Sequence, residues 1–104
     1  KKAADIEGPA YLHILSVCPT GWRSLPELSI KLGRLAVETG TFPLYEVEHG
    51  RYHLNIDFPK LKPIKEYIKL QGRFRHLTEE MIEMIEKRIH QEYEELREKA
   101  KKGV

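Results

Sequence analysis

The stretch of sequence that decides the fold runs from Gly8 to Trp22 and reads GPAYLHILSVCPTGW. Between Ala10 and Cys18 nearly every residue is apolar, rather than every second one. A short apolar run of this kind, bounded by Gly-Pro and by Pro-Thr-Gly, is typical of a strand buried on both faces of a parallel sheet. The stretch therefore predicts an α/β fold.

A strand buried on both faces needs neighbouring strands on each side and helices above and below it, and the rest of the chain does not supply them. Residues 1–7 predict the last turns of a helix that ends at Gly8. The chain also does not begin with methionine. We therefore interpret the sequence as the end of a larger protein.

After the loop at residues 18–22, apolar spacing predicts a helix from Pro26 to Thr39, which would complete a βα unit. From residue 44 the period changes to two, which predicts an antiparallel hairpin over residues 45–58 with His49-Gly50 as its turn. A linker over residues 59–63 and a short helix that ends before Gly72 are expected to follow.

The longest predicted element is a C-terminal helix that begins after Thr78 as its N-cap and ends near Lys102, with Gly103 beyond it. Leu77 and Ile82 are expected to form a hydrophobic staple. The predicted apolar stripe recurs at intervals of three and four residues: Met81, Ile85, Ile89, Tyr93, Leu96 and Ala100. A helix about 36 Å long is more than this chain can bury, so the stripe is expected to contact a missing domain or another subunit.

The composition excludes several classes of protein. Among 104 residues there are 18 basic and 16 acidic side chains and 40% hydrophobic residues, which is too apolar and too balanced for a disordered tail. One cysteine excludes an internal disulfide and a self-sufficient cysteine-ligated zinc or iron–sulfur site. No apolar window approaches ~18 residues and no signal peptide is visible, so a soluble, cytoplasmic protein without membrane contact is expected.

Cys18 is the first candidate site residue. It lies at the carboxyl end of the predicted strand, where α/β sheets bind ligands, and the adjoining proline and glycine tighten the loop as a metal or cofactor site requires. The alternative is a free structural cysteine that packs as a small hydrophobe. A nucleophilic role is disfavoured because His13, five residues earlier on the strand, should project from the opposite face.

A second candidate is the basic segment from Lys60 to His76, which holds six lysines and arginines against the single acid Glu66. One interpretation of this segment is a patch that binds phosphate or nucleic acid. The other is a face that contacts solvent or another subunit, and no nucleic-acid-binding motif accompanies the segment. Arg73 and Arg75 are candidates to pair with acidic groups of a neighbouring subunit.

Other side chains receive a structural interpretation. His49 and His53 are expected in turn and wet-face roles rather than as metal ligands. Glutamates 79, 80, 83 and 86 resemble paired acids for acid–base chemistry but are more simply dipole partners and solvated charges. Met81 and Met84 are expected to pack. Trp22 either anchors its loop by packing or shields a cofactor.

Residues 8–16 and the Cys18-Pro19-Thr20-Gly21-Trp22 loop resemble the C-terminal part of the β subunit of pyruvate:ferredoxin oxidoreductases, also called pyruvate synthases, in the 2-oxoacid:ferredoxin oxidoreductase family. The resemblance continues through residues 35–40, 42–46 and 67–74, in order along nearly the whole chain. It implies that residues 1–42 are the end of a thiamine-diphosphate-binding parallel-sheet domain. Residues 43–104 would be a C-terminal extension with the hairpin, linker and long helix.

The resemblance also implies a function for the whole hetero-oligomeric assembly. Such enzymes decarboxylate pyruvate or a related 2-oxoacid on thiamine diphosphate with Mg²⁺, pass electrons through [4Fe–4S] clusters to ferredoxin, and transfer the acyl group to coenzyme A. In this family the fourth ligand of one [4Fe–4S] cluster is a cysteine near the C-terminal end of the subunit, and this cysteine matches Cys18. The resemblance therefore implies that Cys18 is a metal ligand, and the other three ligands lie upstream.

This chain departs from the family pattern by lacking the Cys-x-x-Cys pair, the third upstream cysteine and the Gly-Asp-Gly…Asn segment that holds magnesium and the diphosphate. The chain alone is therefore expected to bind no cofactor and to be inactive, and no catalytic residue is assigned to it. The expected partners are the upstream part of the β subunit, the other subunits, ferredoxin, coenzyme A and the 2-oxoacid. Two alternatives remain: a non-catalytic protein-interaction module, and a basic nucleic-acid-binding domain that uses residues 60–75.

Overall fold

The computed structural model describes residues 1–102. Its helices are α1 (Pro19–Trp22), α2 (Ser29–Glu38), α3 (Ile64–Ile68) and α4 (Glu79–Lys102), and its strands are β1 (Tyr45–Glu48) and β2 (Arg51–Leu54). Two short 3₁₀ turns, Pro26–Leu28 and Gly72–Phe74, precede α2 and follow α3. Gly103, predicted to follow the long helix, and Val104 lie outside the described residues.

The predicted helix over residues 26–39 is confirmed, with its first turn in 3₁₀ form. Apolar side chains at helical spacing turn one face of α2 inward, where Leu32, Leu35 and Ala36 are buried. The helix ends at Thr39, whose hydroxyl donates a hydrogen bond of 2.6 Å to the Leu35 carbonyl. These side chains form the first core cluster together with Trp22 and Tyr67.

The predicted hairpin is confirmed, including its turn. His49 and Gly50 both have positive φ, 51° and 77°, as a two-residue turn between antiparallel strands requires. The register pairs Tyr45 with Leu54 and Val47 with Tyr52. The second strand ends at Leu54, four residues earlier than expected, because residues 55–58 turn toward α4.

The long helix α4 is confirmed with its predicted start. Thr78 accepts a hydrogen bond from the Met81 N–H at 3.2 Å, and Leu77 packs in the same cluster as Ile82. This second core cluster also contains Ile64 and Ile68 of α3. Within residues 1–102, no helix is long and apolar enough to cross a membrane.

The side of α4 that faces the core agrees with the predicted stripe in the second half of the helix, at Tyr93 and Leu96, and differs from it in the first half. Ile82, Tyr93 and Leu96 are buried. Met81 and Ile85, by contrast, are 48% and 37% exposed. In the first half of the helix the covered face is centred on Ile82 rather than on Met81, because Ile64 and Ile68 of α3 pack there. An apolar edge of the helix is thus left uncovered.

Two N-terminal predictions are not confirmed within the described residues. Residues 10–18 form no strand, and the sheet within residues 1–102 is the two-stranded hairpin alone, so no parallel sheet is present there. A strand requires backbone pairing with a neighbour, and residues 10–18 pair with neither strand of the hairpin. Residues 1–7 form turns, with one helical hydrogen bond from Asp5 N–H to the Lys1 carbonyl, rather than a helix end.

The segment at residues 10–18 nevertheless has two different sides. His13 contacts the Phe42 ring edge-on at 5.1 Å, and Val17 packs against the first core cluster. Leu12 and Ile14, one residue out of phase with them, are 71% and 79% exposed. From Leu12 to Val17 this alternation is that of an extended chain with one face on its own protein and the other face open, whereas Tyr11 is 86% exposed. The boundary predicted between residues 42 and 43 stays a prediction.

Candidate functional site

Cys18 is the N-cap of α1 rather than part of an irregular loop. Its carbonyl accepts the Trp22 N–H at 2.8 Å, and its Sγ accepts the Gly21 N–H at 3.5 Å. Pro19 suits the first helical position because it has no N–H to lose there. The loop expected from the sequence is therefore a single helical turn that presents an exposed thiol.

Trp22 anchors this turn by packing, which is one of the two roles predicted for it, and the other role, shielding of a cofactor, stays a prediction. Its side chain is 7% exposed and meets the Tyr67 ring edge-on, with 6.1 Å between ring centres. Arg23 follows in the left-handed region, at φ 52°, and ends the turn. Its carbonyl accepts the Gly72 N–H at 2.9 Å, so α1 is fastened to the 3₁₀ turn after α3.

Gly72 is required at this contact because there is no room for a side chain, and not because of its backbone dihedral angles. A Cβ atom at this position would lie 2.8 Å from the Arg23 Cβ and 3.1 Å from its carbonyl oxygen. A larger residue would therefore separate the two turns. The close approach explains why the Gln-Gly-Arg-Phe stretch, residues 71–74, lies directly beside the Cys18 turn.

Arg73 covers the anchor from the outside. Its Cζ lies 4.2 Å from the centre of the Trp22 ring and 4.5 Å from that of Phe74, and its Nε donates to Gln71 Oε1 at 2.8 Å. Burial raises the pKa of the Tyr67 hydroxyl, and the positive charge of Arg73 acts against that rise. Tyr67 therefore stays protonated at neutral pH.

The described residues can provide one ligand to a thiolate-ligated iron–sulfur cluster, but not a complete set of ligands. An exposed thiol that accepts a backbone N–H is a suitable single ligand, because such hydrogen bonds accompany cluster-bound sulfurs. However, residues 1–102 contain no group of three or more His, Cys, Asp or Glu side chains arranged to hold a metal ion. His13 packs on Phe42 instead.

The basic segment does not form one continuous patch. Lys62 pairs with Glu38 at 3.2 Å and Lys65 with Glu79 at 2.6 Å. Arg73, expected to reach a neighbouring subunit, stacks on the aromatic rings of its own chain. Three of the six basic side chains thus tie elements of this chain together.

Several acidic and apolar side chains also occupy places that the sequence did not predict. Glu86 is not a solvated charge, because it accepts the Ile64 N–H at 2.8 Å and caps the start of α3. Met81 and Met84, which were expected to pack, are 48% and 72% exposed. His49 and His53 are exposed on the hairpin, in the turn and wet-face positions expected for them.

The sequence did not predict the side chains that support the turn at Cys18. Gln71 is 2% exposed and donates to the Tyr67 carbonyl at 2.8 Å, while it accepts from Arg73. The signal that the sequence offered for these contacts was the presence of Tyr67 and Phe74 within the basic segment. The sequence could not show that their partner was Trp22, about fifty positions away.

No protein-family model matches the chain. It is, however, 54% identical over 89 residues to pyruvate synthase subunit PorB of Methanocaldococcus jannaschii, which covers 86% of this chain and 30% of that protein. It is 48% identical over 99 residues to ketoisovalerate oxidoreductase subunit VorB of Pyrococcus furiosus, covering 93% of this chain and 32% of that protein.

A third relative, pyruvate synthase subunit PorB of Methanothermobacter marburgensis, is 47% identical over 97 residues, covering 93% of the chain and 34% of that protein. The chain thus spans about a third of the length of the curated relatives it matches. It belongs to the family of 2-oxoacid oxidoreductase subunits that includes PorB and VorB, and it corresponds to a C-terminal part of such a subunit.

Proposed function

We propose that this chain is part of an oxidoreductase that oxidatively decarboxylates pyruvate or a related 2-oxoacid to the acyl-CoA, with ferredoxin as electron acceptor. The observation that carries the proposal is the 54% identity to a pyruvate synthase subunit over most of the chain. The chain itself is not expected to be active, because its one cysteine and its lack of a diphosphate-binding segment leave both cofactors without a complete site.

Within that assembly, we assign Cys18 the role of one ligand to a [4Fe–4S] cluster. Exposure of the thiol and the hydrogen bond from the Gly21 N–H support this role, since a thiolate ligand must be accessible and is stabilised by a donor. A bound cluster supplies one-electron transfer. The residues of this chain hold the sulfur in place, and the remaining ligands would come from outside it.

The second role we assign to the chain is contact with the rest of the subunit and with other subunits. Leu12, Ile14 and Met84 are each more than 70% exposed, and the uncovered apolar edge of α4 continues through Met81 and Ile85. Apolar surfaces of this kind are typical of faces that pack against another protein. The backbone of residues 10–18 would pair with strands of the thiamine-diphosphate-binding domain, and the open side of the segment would pack against the rest of that domain.

The cluster role is tested by Cys18→Ala in the complete, assembled oxidoreductase. We expect a loss of iron and of the visible absorption of one cluster, together with slower reduction of ferredoxin. Thr20→Ala is a matched control, since Thr20 is an exposed residue in the same turn and provides no thiolate. An unchanged iron content in Cys18→Ala would show that the ligand assignment is wrong.

The substrate is tested separately, because the relatives are named for two different 2-oxoacids. We expect the assembled enzyme to release CO₂ from pyruvate, or from a branched 2-oxoacid, only when coenzyme A and an electron acceptor are present. Release from neither 2-oxoacid class would contradict the proposal.

A non-catalytic interaction module is a second candidate function, favoured by the exposed apolar side chains. It predicts an assembly that forms normally, holds no iron and reduces no ferredoxin. Iron analysis of the assembled protein therefore separates the two functions.

A further inference from the structure

We infer that Arg73 is a positioning residue for Cys18, because its guanidinium, stacked on Trp22, fixes the helical turn that presents the thiol. This inference rests on the proposed role of Cys18 as a cluster ligand. It concerns a residue more than fifty positions from the cysteine, which reaches the turn only through the fold.

The guanidinium is held in one plane by contacts on several sides. It lies between the rings of Trp22 and Phe74, at 4.2 and 4.5 Å, while its Nε donates to Gln71. Gln71 is itself fixed, since it is buried and donates to the Tyr67 carbonyl. Arg73 forms no ion pair within the described part of the chain, so its place is set by the rings and the amide.

Trp22 transmits this constraint to the thiol. It is the last residue of α1, and its N–H donates to the carbonyl of Cys18, the first residue of the turn. Gly21, next to it, provides the N–H that points at Sγ. A shift of the Trp22 backbone would move both donors relative to the sulfur, and the packing of the buried indole opposes such a shift.

The Arg23–Gly72 hydrogen bond makes the same connection through the backbone. It holds the end of α1 against the turn that carries Arg73, which leaves the indole enclosed between Tyr67 and the guanidinium. Arginine suits this position better than lysine, because its planar group stacks on an aromatic face and donates to Gln71 at the same time.

The first test is amide hydrogen exchange in the assembled oxidoreductase. Loss of a partly desolvated cation–π stack in Arg73→Ala should speed exchange at Gly21 and Trp22 roughly tenfold. Arg75→Ala is the matched control, since Arg75 is exposed and its side chain has no ring contact or ion pair within residues 1–102. Arg73→Lys should restore protection in part, because it keeps the cation but not the plane.

The second test is the electron paramagnetic resonance spectrum of the reduced assembly. At unchanged iron content, Arg73→Ala should alter the signal of the cluster bound by Cys18, and Arg73→Lys should return it toward the parent signal. A general loss of packing would not produce this pattern. Equal exchange rates and identical spectra in Arg73→Ala and Arg75→Ala would overturn the inference.

Failure of the inference and failure of the proposed function have different signatures. If Cys18→Ala retained its iron, the ligand assignment would be wrong, and Arg73 would then have no role in positioning a cluster ligand. Iron lost in Cys18→Ala, together with unchanged exchange in Arg73→Ala, would overturn the Arg73 inference alone.

Discussion

Truncation of Ile14 should have little effect on the isolated chain and a large destabilising effect in the assembled enzyme. The side chain is 79% exposed here, whereas Leu32 in the core is fully buried. In the 104-residue chain, Ile14→Ala should change the free energy of unfolding by no more than about 0.5 kcal/mol, as at other surface positions. Leu32→Ala should lower it by about 2–5 kcal/mol, because a cavity is left.

In the assembled enzyme, we expect the open side of residues 10–18 to be covered, so that most of the Ile14 side chain becomes buried. Truncation there should cost about 2–4 kcal/mol of local stability, which is the core value reduced by the fifth of the side chain that is already buried. Local opening of the segment should then be about 30- to 1000-fold more frequent, since each 1.4 kcal/mol is a factor of ten.

Two assays measure the two halves of this prediction. Thermal unfolding followed by circular dichroism compares Ile14→Ala with Leu32→Ala in the chain, where 1 kcal/mol corresponds to a shift of about 4–8 °C. Limited proteolysis after Tyr11 or Leu12 reports the opening of the segment in the assembled enzyme, provided that opening is fast compared with cleavage. Destabilisation of the isolated chain equal to that of Leu32→Ala, or unchanged cleavage in the assembly, would refute the reasoning.

Tyr93→Phe removes the acceptor of a part-buried backbone N–H after the hairpin, at 3.1 Å, and should lower the free energy of unfolding by about 1–3 kcal/mol in chemical denaturation. A loss below the error of that measurement would contradict it. Glu86→Gln replaces a charged cap of α3 by a neutral acceptor and should lower the melting temperature, whereas Glu83→Gln, at an exposed position, should not. The ion pair with Lys65 lowers the pKa of Glu79 below its ordinary value, so its stabilisation is present above that value and lost as the pH falls through the lowered pKa. Acid titration of Glu79→Gln should therefore show a smaller loss of stability on acidification than the parent chain, and the difference should shrink in high salt.

The elements predicted correctly are those whose signals are local. The hairpin was marked by alternation and by His49-Gly50, and both residues take the positive φ that this turn needs. The long helix was marked by Thr78, which caps it as expected. Periodicity, caps and turns depend on residues within a few positions of one another, so the sequence displays them directly.

The predictions that the structure does not confirm depend on what lies next to an element rather than on its own residues. The apolar run at residues 10–18 has the composition of a buried strand, but no strand is available within residues 1–102 to pair with it. In the same way, the spacing of Met81 and Ile85 marked an apolar face of α4 correctly. It could not show that α3 would cover the adjacent face, centred on Ile82.

The charged residues show the same limit at the candidate site. A run of lysines and arginines looks like a surface for an external anion. Lys62 and Lys65 are instead paired with glutamates of α2 and α4, and Arg73 lies on an indole. The opposite charges are about 14 or more positions away, so no short window of sequence displays the pairing.

The order around Cys18 bears directly on how such a segment could serve a cluster. Within residues 1–102, the turn is shaped by the hydrogen bonds from Gly21 and Trp22, the Arg23–Gly72 hydrogen bond, the Tyr67 ring and the Arg73 stack. A ligand on a flexible loop would lose conformational entropy when it bound, at about 1–2 kcal/mol for each residue that became ordered. A ligand on a turn that is already ordered avoids most of that cost. The segment is therefore suited to bring one fixed sulfur to a site whose other ligands lie elsewhere, which is what the proposed role of Cys18 requires.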